Sequence, residues 1–491
     1  MGIPSYFSYI IKNYKNIIRK LPDCEKFQYL LMDCNSIIYD SFYELEEIYN
    51  TTPFDISTIE NQIIQKVIEK IECVIQTISP SKGVYIAFDG VAPFAKMDQQ
   101  RNRRYKAQFM SSLNKTKKIW NTSAITPGTQ FMDQLSMQVN RYFCNTHEDI
   151  LMMISCSDKP GEGEHKLFTY IREHDCSKDN IAIHGLDSDL IMLSIYHKQF
   201  TKNICVYREE RKELKILDIG ELNNVIKREM GGDEREYVLM CLLLGNDFLP
   251  HFPSLNIRSH GFSILFEGYR KRMCNRPFIK DNKIDWESML LYITEIEKDE
   301  RKHIIDECRS REKYENRKWS GEEEVLNVAL QYRMSERYVK PEEEGWCSRY
   351  RKCMLGGSRI EVCKNYVEGL EWVLKYYTVG CVDWRWKYKY DYAPLLKDLK
   401  GMIPKKGYER FKGEEYGALD AKAQLVYVLP YESVYLLGET GEQIKREYKE
   451  LYPEKYEFKW GFCRYFWEAH PVLPEIKIET LLEWEKMWKK K

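Results

Sequence analysis

Short apolar runs alternate with longer amphipathic stretches through the first half of the chain, and this alternation predicts a parallel α/β sheet. Phe27 to Met32 reads as a strand that ends on Asp33, and Val84 to Phe88 as a second that ends on Asp89. Asp149 to Ser155 is a third candidate, and Ile181 to His184 a fourth, followed by Gly185-Leu186-Asp187-Ser188-Asp189. Ligand sites of open parallel sheets collect at the carboxyl ends of the strands, so acids at those ends are expected to face one crevice. From about 271 to 345 both signs of charge alternate with sparse Ile and Leu, a pattern that predicts solvated helices linking two domains. Gly356-Gly357 marks a turn, and beyond it aromatic residues crowd 366–394 and 458–488. The expected organisation is therefore an α/β domain at 1–270, a charged helical linker at 271–345 and a smaller aromatic-rich domain at 346–491.

Composition narrows this picture. A chain of 491 residues with 43% hydrophobic and 13% aromatic residues has the apolar surface for more than one packed core. Its longest apolar run, Tyr237 to Leu244, is far shorter than the roughly 20 residues a membrane span needs, so no membrane partner is expected. Fifteen cysteines without a C-x-x-C pair argue against a disulfide framework or a zinc site. They point to a reducing compartment, the cytoplasm first and the nucleus as the alternative. Equal numbers of basic and acidic residues, 75 each, mean that any nucleic acid must be held by local patches.

Two constellations carry candidate chemistry. Asp33, Asp89, Asp187, Asp189 and Asp247 all follow apolar runs, while Glu162 and Glu164 follow Pro160-Gly161 at a helix start. One such acid is an ordinary helix cap, but a cluster is costly to bury unless cations neutralise it. Oxygen donors without Cys or His favour Mg²⁺ or Mn²⁺, and two such ions about 4 Å apart clamp the attacking and leaving oxygens of a phosphodiester. The second constellation is basic: residues 96–118 hold eight Lys/Arg and one acid, Asp98. Lys96, Gln100, Arg103 and Arg104 share one face if the segment is helical, and such a face suits a phosphate. His165 and His251, inside motifs, are expected to orient neighbours by hydrogen bonds rather than to ligate a metal.

Together the motifs resemble the Xrn family of 5′→3′ exoribonucleases. They are Met1-Gly2-Ile3-Pro4, Met32-Asp33-Cys34-Asn35-Ser36, Phe88-Asp89-Gly90-Val91-Ala92-Pro93, Ala95-Lys96-Met97, Pro160-Gly161-Glu162-Gly163-Glu164-His165-Lys166, Gly185-Leu186-Asp187-Ser188-Asp189-Leu190 and Gly245-Asn246-Asp247-Phe248-Leu249-Pro250. The likeness continues at Ile125 to Thr129, Tyr366 to Leu374 and Asp391 to Pro394. It implies a flap-nuclease-like (PIN-type) α/β domain and a compact form without the extra C-terminal domains of cellular members. It also implies processive, metal-dependent hydrolysis of 5′-monophosphorylated single-stranded RNA to nucleoside 5′-monophosphates, as in mRNA decay, by a monomer that takes its substrate from a decapping factor. In the family the residues matching Asp33, Asp89, Glu162, Glu164, Asp187, Asp189 and Asp247 line a two-metal Mg²⁺ or Mn²⁺ site, and those matching Lys96, Gln100, Arg103 and Arg104 form the 5′-phosphate pocket.

Cellular members carry His where this chain has Tyr39, a position that stacks on a substrate base, and a phenol ring keeps that ability. Trp384, Trp386, Tyr388, Tyr390 and Tyr392 alternate with Arg385, Lys387 and Lys389, a period of two that predicts an extended ribbon. Trp384 or Trp386 matches the family's second stacking ring. Two rivals remain at this point. A structure-specific flap endonuclease would need a Gly-rich helical hairpin after the last acids, and the stretch Phe248 to Ile257 has none. A catalytically inactive RNA-binding scaffold would not need all seven carboxylates.

Overall fold

The computed structural model describes residues 2–21, 26–49, 55–114, 119–185, 187–210, 213–273, 276–315, 317–404, 407–413 and 416–489. Lys115, Lys117 and Lys118 of the basic run, Cys24 and Leu186 lie outside the described residues. The chain forms two compact units, each discontinuous in sequence. One comprises 1–12, 224–415 and 455–473, and is called here the helical unit; the other comprises 13–223, 416–454 and 474–491, and is called the sheet unit. These bounds cut the chain differently from 1–270, 271–345 and 346–491.

The sheet unit is built on seven strands, β1 (Ile18–Arg19), β2 (Tyr29–Asp33), β3 (Gly83–Ala87), β4 (Leu151–Ser155), β5 (Cys176–His184), β6 (Thr201–Glu210) and β7 (Glu213–Asp218), in the order β1-β7-β6-β5-β2-β3-β4. The five strands from β2 to β6 pair in parallel, and β7 runs antiparallel to β6 and β1. The α/β class with a mostly parallel sheet is thus as the strand pattern predicts. Asp33 lies opposite Ala87, and Met32 opposite His184, so the ends of β2, β3 and β5 are level. The chain moves outward from β2 through β3 to β4, then returns to the other side of β2 with β5 and β6. The switch point, where such sheets open a crevice at their carboxyl ends, therefore falls at β2 and β5.

Helices α1 (Asn35–Tyr49), α2 (Ile56–Ile78), α3 (Phe94–Asn114), α4 (Gln130–Phe143), α5 (Gly163–Glu173) and α6 (Ser188–His197) follow the strands of this sheet or connect them. α2 shows how sequence dictates packing: Ile59, Ile63, Ile64, Val67, Ile68, Ile71, Ile75 and Ile78 recur at helical spacing, are all buried, and join Leu30, Met32, Val84 and Ile86 in one core. A second core positions α3. Phe94 and Met97 pack with Leu425, Val426, Tyr427 and Trp484, so the segments 416–454 and 474–491 return to buttress this helix.

The helical unit corrects two sequence expectations. Mixed charge at 271–345 does not mean solvated helices throughout, because Glu300, Glu307, Arg311, Arg333 and Glu336 are buried. Four of them are paired: Arg311 donates to Glu307 at 3.0 Å, Arg333 to Glu336 at 2.6 Å, and Arg311 also donates to the carbonyl of Cys463 at 3.0 Å, whereas Glu300 accepts the N–H groups of Leu396 and Lys397. The aromatic stretch 384–392 is not a strand either. Trp386, Tyr388 and Tyr392 are buried, Trp386 stacking on Trp372 with centroids 5.1 Å apart, whereas Trp384 is half-buried. The rings alternate inward without a partner strand to pair with.

Candidate active site

Three loops at the level strand ends bring the acids together. Asp33 closes β2, and Asp89 follows β3 after Phe88. The loop after Asp89 is tied to the loop before α5 by two backbone bonds, Gly90 N–H to the Gly161 carbonyl at 2.9 Å and Gly161 N–H to that of Val91 at 2.8 Å. The approach is so close that a Cβ on Gly90 would lie 1.7 Å from the Lys159 carbonyl oxygen, and Gly161 has φ +104°, a left-handed conformation that suits glycine. This clasp sets Glu162 and Glu164 beside Asp33 and Asp89.

Carboxylate oxygens of Asp33, Asp89 and Glu164 lie within 4.8 Å of one another, and Glu162, Glu164 and His165 form a second such group. Asp33, Glu162 and Glu164 are buried, and Asp89 is half-buried. Burial drives the Asp33 carboxyl well above the usual range, reinforced by the charges of Asp89 and Asp187. Burial likewise raises Glu164, helped by Glu162 and Asp33 and opposed by Lys96. Asp33 Oδ1 is buried without a hydrogen-bond partner. An all-oxygen donor set with an orphaned, desolvated carboxylate oxygen fits a hard divalent cation, which would supply the missing positive charge. Asp187 precedes α6 and is exposed, while Asp189 is buried in its first turn. Asp247 belongs to the helical unit and is half-buried there.

Three residues not singled out from the sequence hold these acids. Asn35, two positions after Asp33, donates from Nδ2 to Asp89 Oδ2 at 2.6 Å and accepts the Asp89 N–H at 3.0 Å. Gly163 opens α5, where its N–H donates to Asp89 Oδ1 at 2.7 Å, and a Cβ there would sit 2.6 Å from Asp33 Oδ1. Lys166 is buried and donates to the carbonyls of Phe88 and Cys156 at 2.7 and 2.9 Å; burial pulls its ammonium down to about 8. Asn35, Gly163 and Lys166 all stand inside the quoted motifs, and their position one or two residues from an acid was the available signal. His251 turns its ring Nδ1 to the Phe252 carbonyl at 2.9 Å, as expected of an orienting histidine, whereas His165 stands within the second acidic group.

α3 places the basic face. The segment is helical, and Lys96 reaches Glu162 at 2.5 Å, joining the basic helix to the carboxylate cluster. Gln100 is buried and accepts from Gln424 at 3.4 Å, and Arg103 is exposed. Arg104 donates to Thr126 Oγ1 at 2.5 Å, yet its Nη1 is buried without a partner. Burial lowers the Arg104 guanidinium to about 10, with Tyr39 on α1 opposing that shift and Arg103 adding to it. Arg101 points elsewhere on the helix, anchored to the carbonyls of Pro474 and Leu451 at 2.9 and 3.1 Å. Tyr39 is half-buried and packs on the edge of the α1–α2 core. Trp384 and Trp386 are in the helical unit.

A parallel sheet with clustered acids at its strand ends and a basic helix joined to them defines a nuclease domain, and the family model described as the XRN 5′-3′ exonuclease N-terminus matches residues 1–210. The model of the Xrn1 helical domain matches 233–344 and 331–491. The chain belongs to the Xrn family of 5′→3′ exoribonucleases, and is an exoribonuclease. It is 23% identical to 5′-3′ exoribonuclease 2 of Arabidopsis thaliana, over 98% of this chain and 67% of that protein, and 24% identical to 5′-3′ exoribonuclease 2 of Gallus gallus, over 98% and 70%. With 5′-3′ exoribonuclease 1 of Homo sapiens it shares 24% identity, over 98% of this chain and 34% of the human protein. No helix among the described residues is long and apolar enough to cross a membrane.

Proposed function

We propose that the protein hydrolyses single-stranded RNA processively from a 5′-monophosphate end, with Mg²⁺ or Mn²⁺ bound at two positions, and releases nucleoside 5′-monophosphates. The observation that supports this reading is the Lys96–Glu162 ion pair, which joins the helix of the basic face to the acid cluster at the ends of β2 and β3 and the start of α5. A terminal monophosphate carries more negative charge than an internal phosphodiester. It is the anion suited to Arg104, whose buried Nη1 has no partner, and to the exposed Arg103 beside it. Fixing that end also fixes the register of the first scissile bond, so end recognition and hydrolysis are coupled. Bound cations would stabilise the attacking and leaving oxygens. Asp33, Asp89, Glu162 and Glu164 would hold them, joined in the family pattern by Asp187 and Asp189. Tyr39, half-buried on α1, would stack on a terminal base.

A monophosphate end is what cap removal leaves, so a decapping activity is the expected upstream partner, and cytoplasmic mRNA decay the expected setting. A time course with Mg²⁺ on RNAs that differ only at the 5′ end tests the reading. Monophosphate RNA should disappear fast, hydroxyl RNA slowly, and capped RNA not at all; Arg104→Ala should erase most of the difference between the first two. Equal rates on monophosphate and hydroxyl ends in the wild type would overturn the pocket.

A further inference from the structure

Outside the acid cluster, the helical unit carries a surface in which arginines and aromatic rings interleave. Arg464 lies over Tyr314 at 4.7 Å, Tyr465 at 5.0 Å and Trp319 at 6.0 Å, and Arg317 lies 4.4 Å from the Trp319 centroid. Tyr465 in turn stacks on Trp467 with centroids 4.3 Å apart and planes at 20°. These residues come from the end of the helix Glu300–Glu315, the stretch after it, and the 458–471 segment, so the tertiary fold assembles the group. It is open to solvent: Trp467 is 49% exposed, Tyr314 38%, and Arg317 is exposed.

The charges of this surface are unmatched. Neither the Arg317 nor the Arg464 guanidinium has a carboxylate or hydrogen-bond partner among the described residues, and Arg464 Nη1 is buried against the rings without one. Nearby Arg258 shows the contrast, since it lies over Tyr465 at 5.2 Å but is neutralised by Glu468 at 2.6 Å. Ring faces account for part of the stabilisation of Arg317 and Arg464 and leave their charge to be met by an anion.

We infer that Tyr314, Arg317, Trp319, Arg464, Tyr465 and Trp467 form a second contact surface for single-stranded RNA. A ligand that satisfies it must bring anions and flat faces together. RNA does both: a phosphate meets the guanidinium groups, and a base stacks on the half-exposed aromatic cluster that Tyr465 and Trp467 form. A proline-rich peptide would use the rings and leave both charges unmatched. The inference goes beyond the active-site reading, taking from it only RNA as the ligand class.

The test is equilibrium binding of a fluorescent 20-nucleotide oligouridylate to the full chain, in EDTA to prevent hydrolysis, over a range of salt concentrations. Trp467→Ala should weaken binding about 5- to 100-fold, and Trp467→Tyr should restore it to within about threefold. The double variant Arg317→Ala/Arg464→Ala should flatten the dependence of log affinity on log salt by about 1.4, the release of counterions from two phosphates. Trp467 and Arg317 are exposed, so melting curves of Trp467→Ala and of the single variant Arg317→Ala should match the wild type; Arg464 is half-buried, and should the double variant melt early, Arg317→Ala alone should still flatten the slope by about 0.7. Unchanged affinity and salt slope in every variant would overturn the inference. So would unchanged oligouridylate binding together with lost binding of a proline-rich peptide, which would assign the surface to a protein partner.

Discussion

Gly163→Ala is the smallest change expected to disable the site. An alanine Cβ at this position would stand 2.6 Å from Asp33 Oδ1 and 3.5 Å from the Ala87 carbonyl oxygen. Ordinary contact begins near 3.4 Å, so the carboxylate must retreat by about 0.8 Å. Metal sites tolerate ligand displacements of about 0.2 Å, and misplacing a reacting group by about 1 Å costs on the order of 100-fold in rate, or about 2.7 kcal/mol. The backbone does not share this cost. Gly163 is the first residue of α5 without a left-handed φ, and alanine favours a helix over glycine by up to about 1 kcal/mol. The assay is turnover of 5′-monophosphorylated RNA at saturating Mg²⁺, with the melting temperature measured in parallel. Turnover should fall about 100-fold while the melting temperature changes by only a few degrees. Gly356→Ala, where an added Cβ meets nothing within 4 Å, should leave turnover unchanged and serves as the control. Turnover of Gly163→Ala within threefold of the wild type would refute the claim that Asp33 must occupy its observed position.

Two further outcomes follow from the same geometry. Asn35→Ala removes two of the hydrogen bonds that orient Asp89, leaving the one from the Gly163 N–H, and should lower turnover or apparent metal affinity about 10- to 100-fold, read from Mg²⁺ titrations of the rate; unchanged titrations would show that Asp89 needs no support from Asn35. Glu300 in the helical unit accepts N–H bonds from Leu396 and Lys397, and burial raises its carboxyl from 4.5 to about 8, so the folded state binds a proton more tightly than the unfolded state. Its contribution is fully present below pH 4.5 and is lost as pH rises to about 8, by up to roughly 4–5 kcal/mol. Glu300→Gln should therefore flatten stability against pH across that window in denaturant unfolding, and an unaltered slope would contradict this.

The site's framework was legible because the pattern that makes parallel strands also fixes where their ends lie. Acids immediately after apolar runs, at Asp33 and Asp89, had to meet at one edge once the strands aligned. Asn35 and Gly163 were not legible as functional, since one acts through a pair of hydrogen bonds and the other through the absence of a Cβ, and neither leaves a mark in composition. The buried charges from Glu300 to Glu336 misled because Arg and Glu spaced three or four apart look the same whether water or a core surrounds them. Period-two aromatics at 384–392 mimicked a strand, although the alternation reflects inward-turned rings in irregular chain. The return of 416–454 and 474–491 to the core of α3 is a long-range contact with no local signal.

The central claim, metal-dependent removal of single nucleotides from a 5′-monophosphate end, is tested most directly by following the products from a uniformly labelled, 5′-monophosphorylated RNA. Nucleoside 5′-monophosphates should form from the first time point with no intermediate-length fragments, cease on addition of EDTA, and resume when Mg²⁺ is restored. Accumulation of internal oligonucleotides, or release of nucleotides that persists in EDTA, would contradict it.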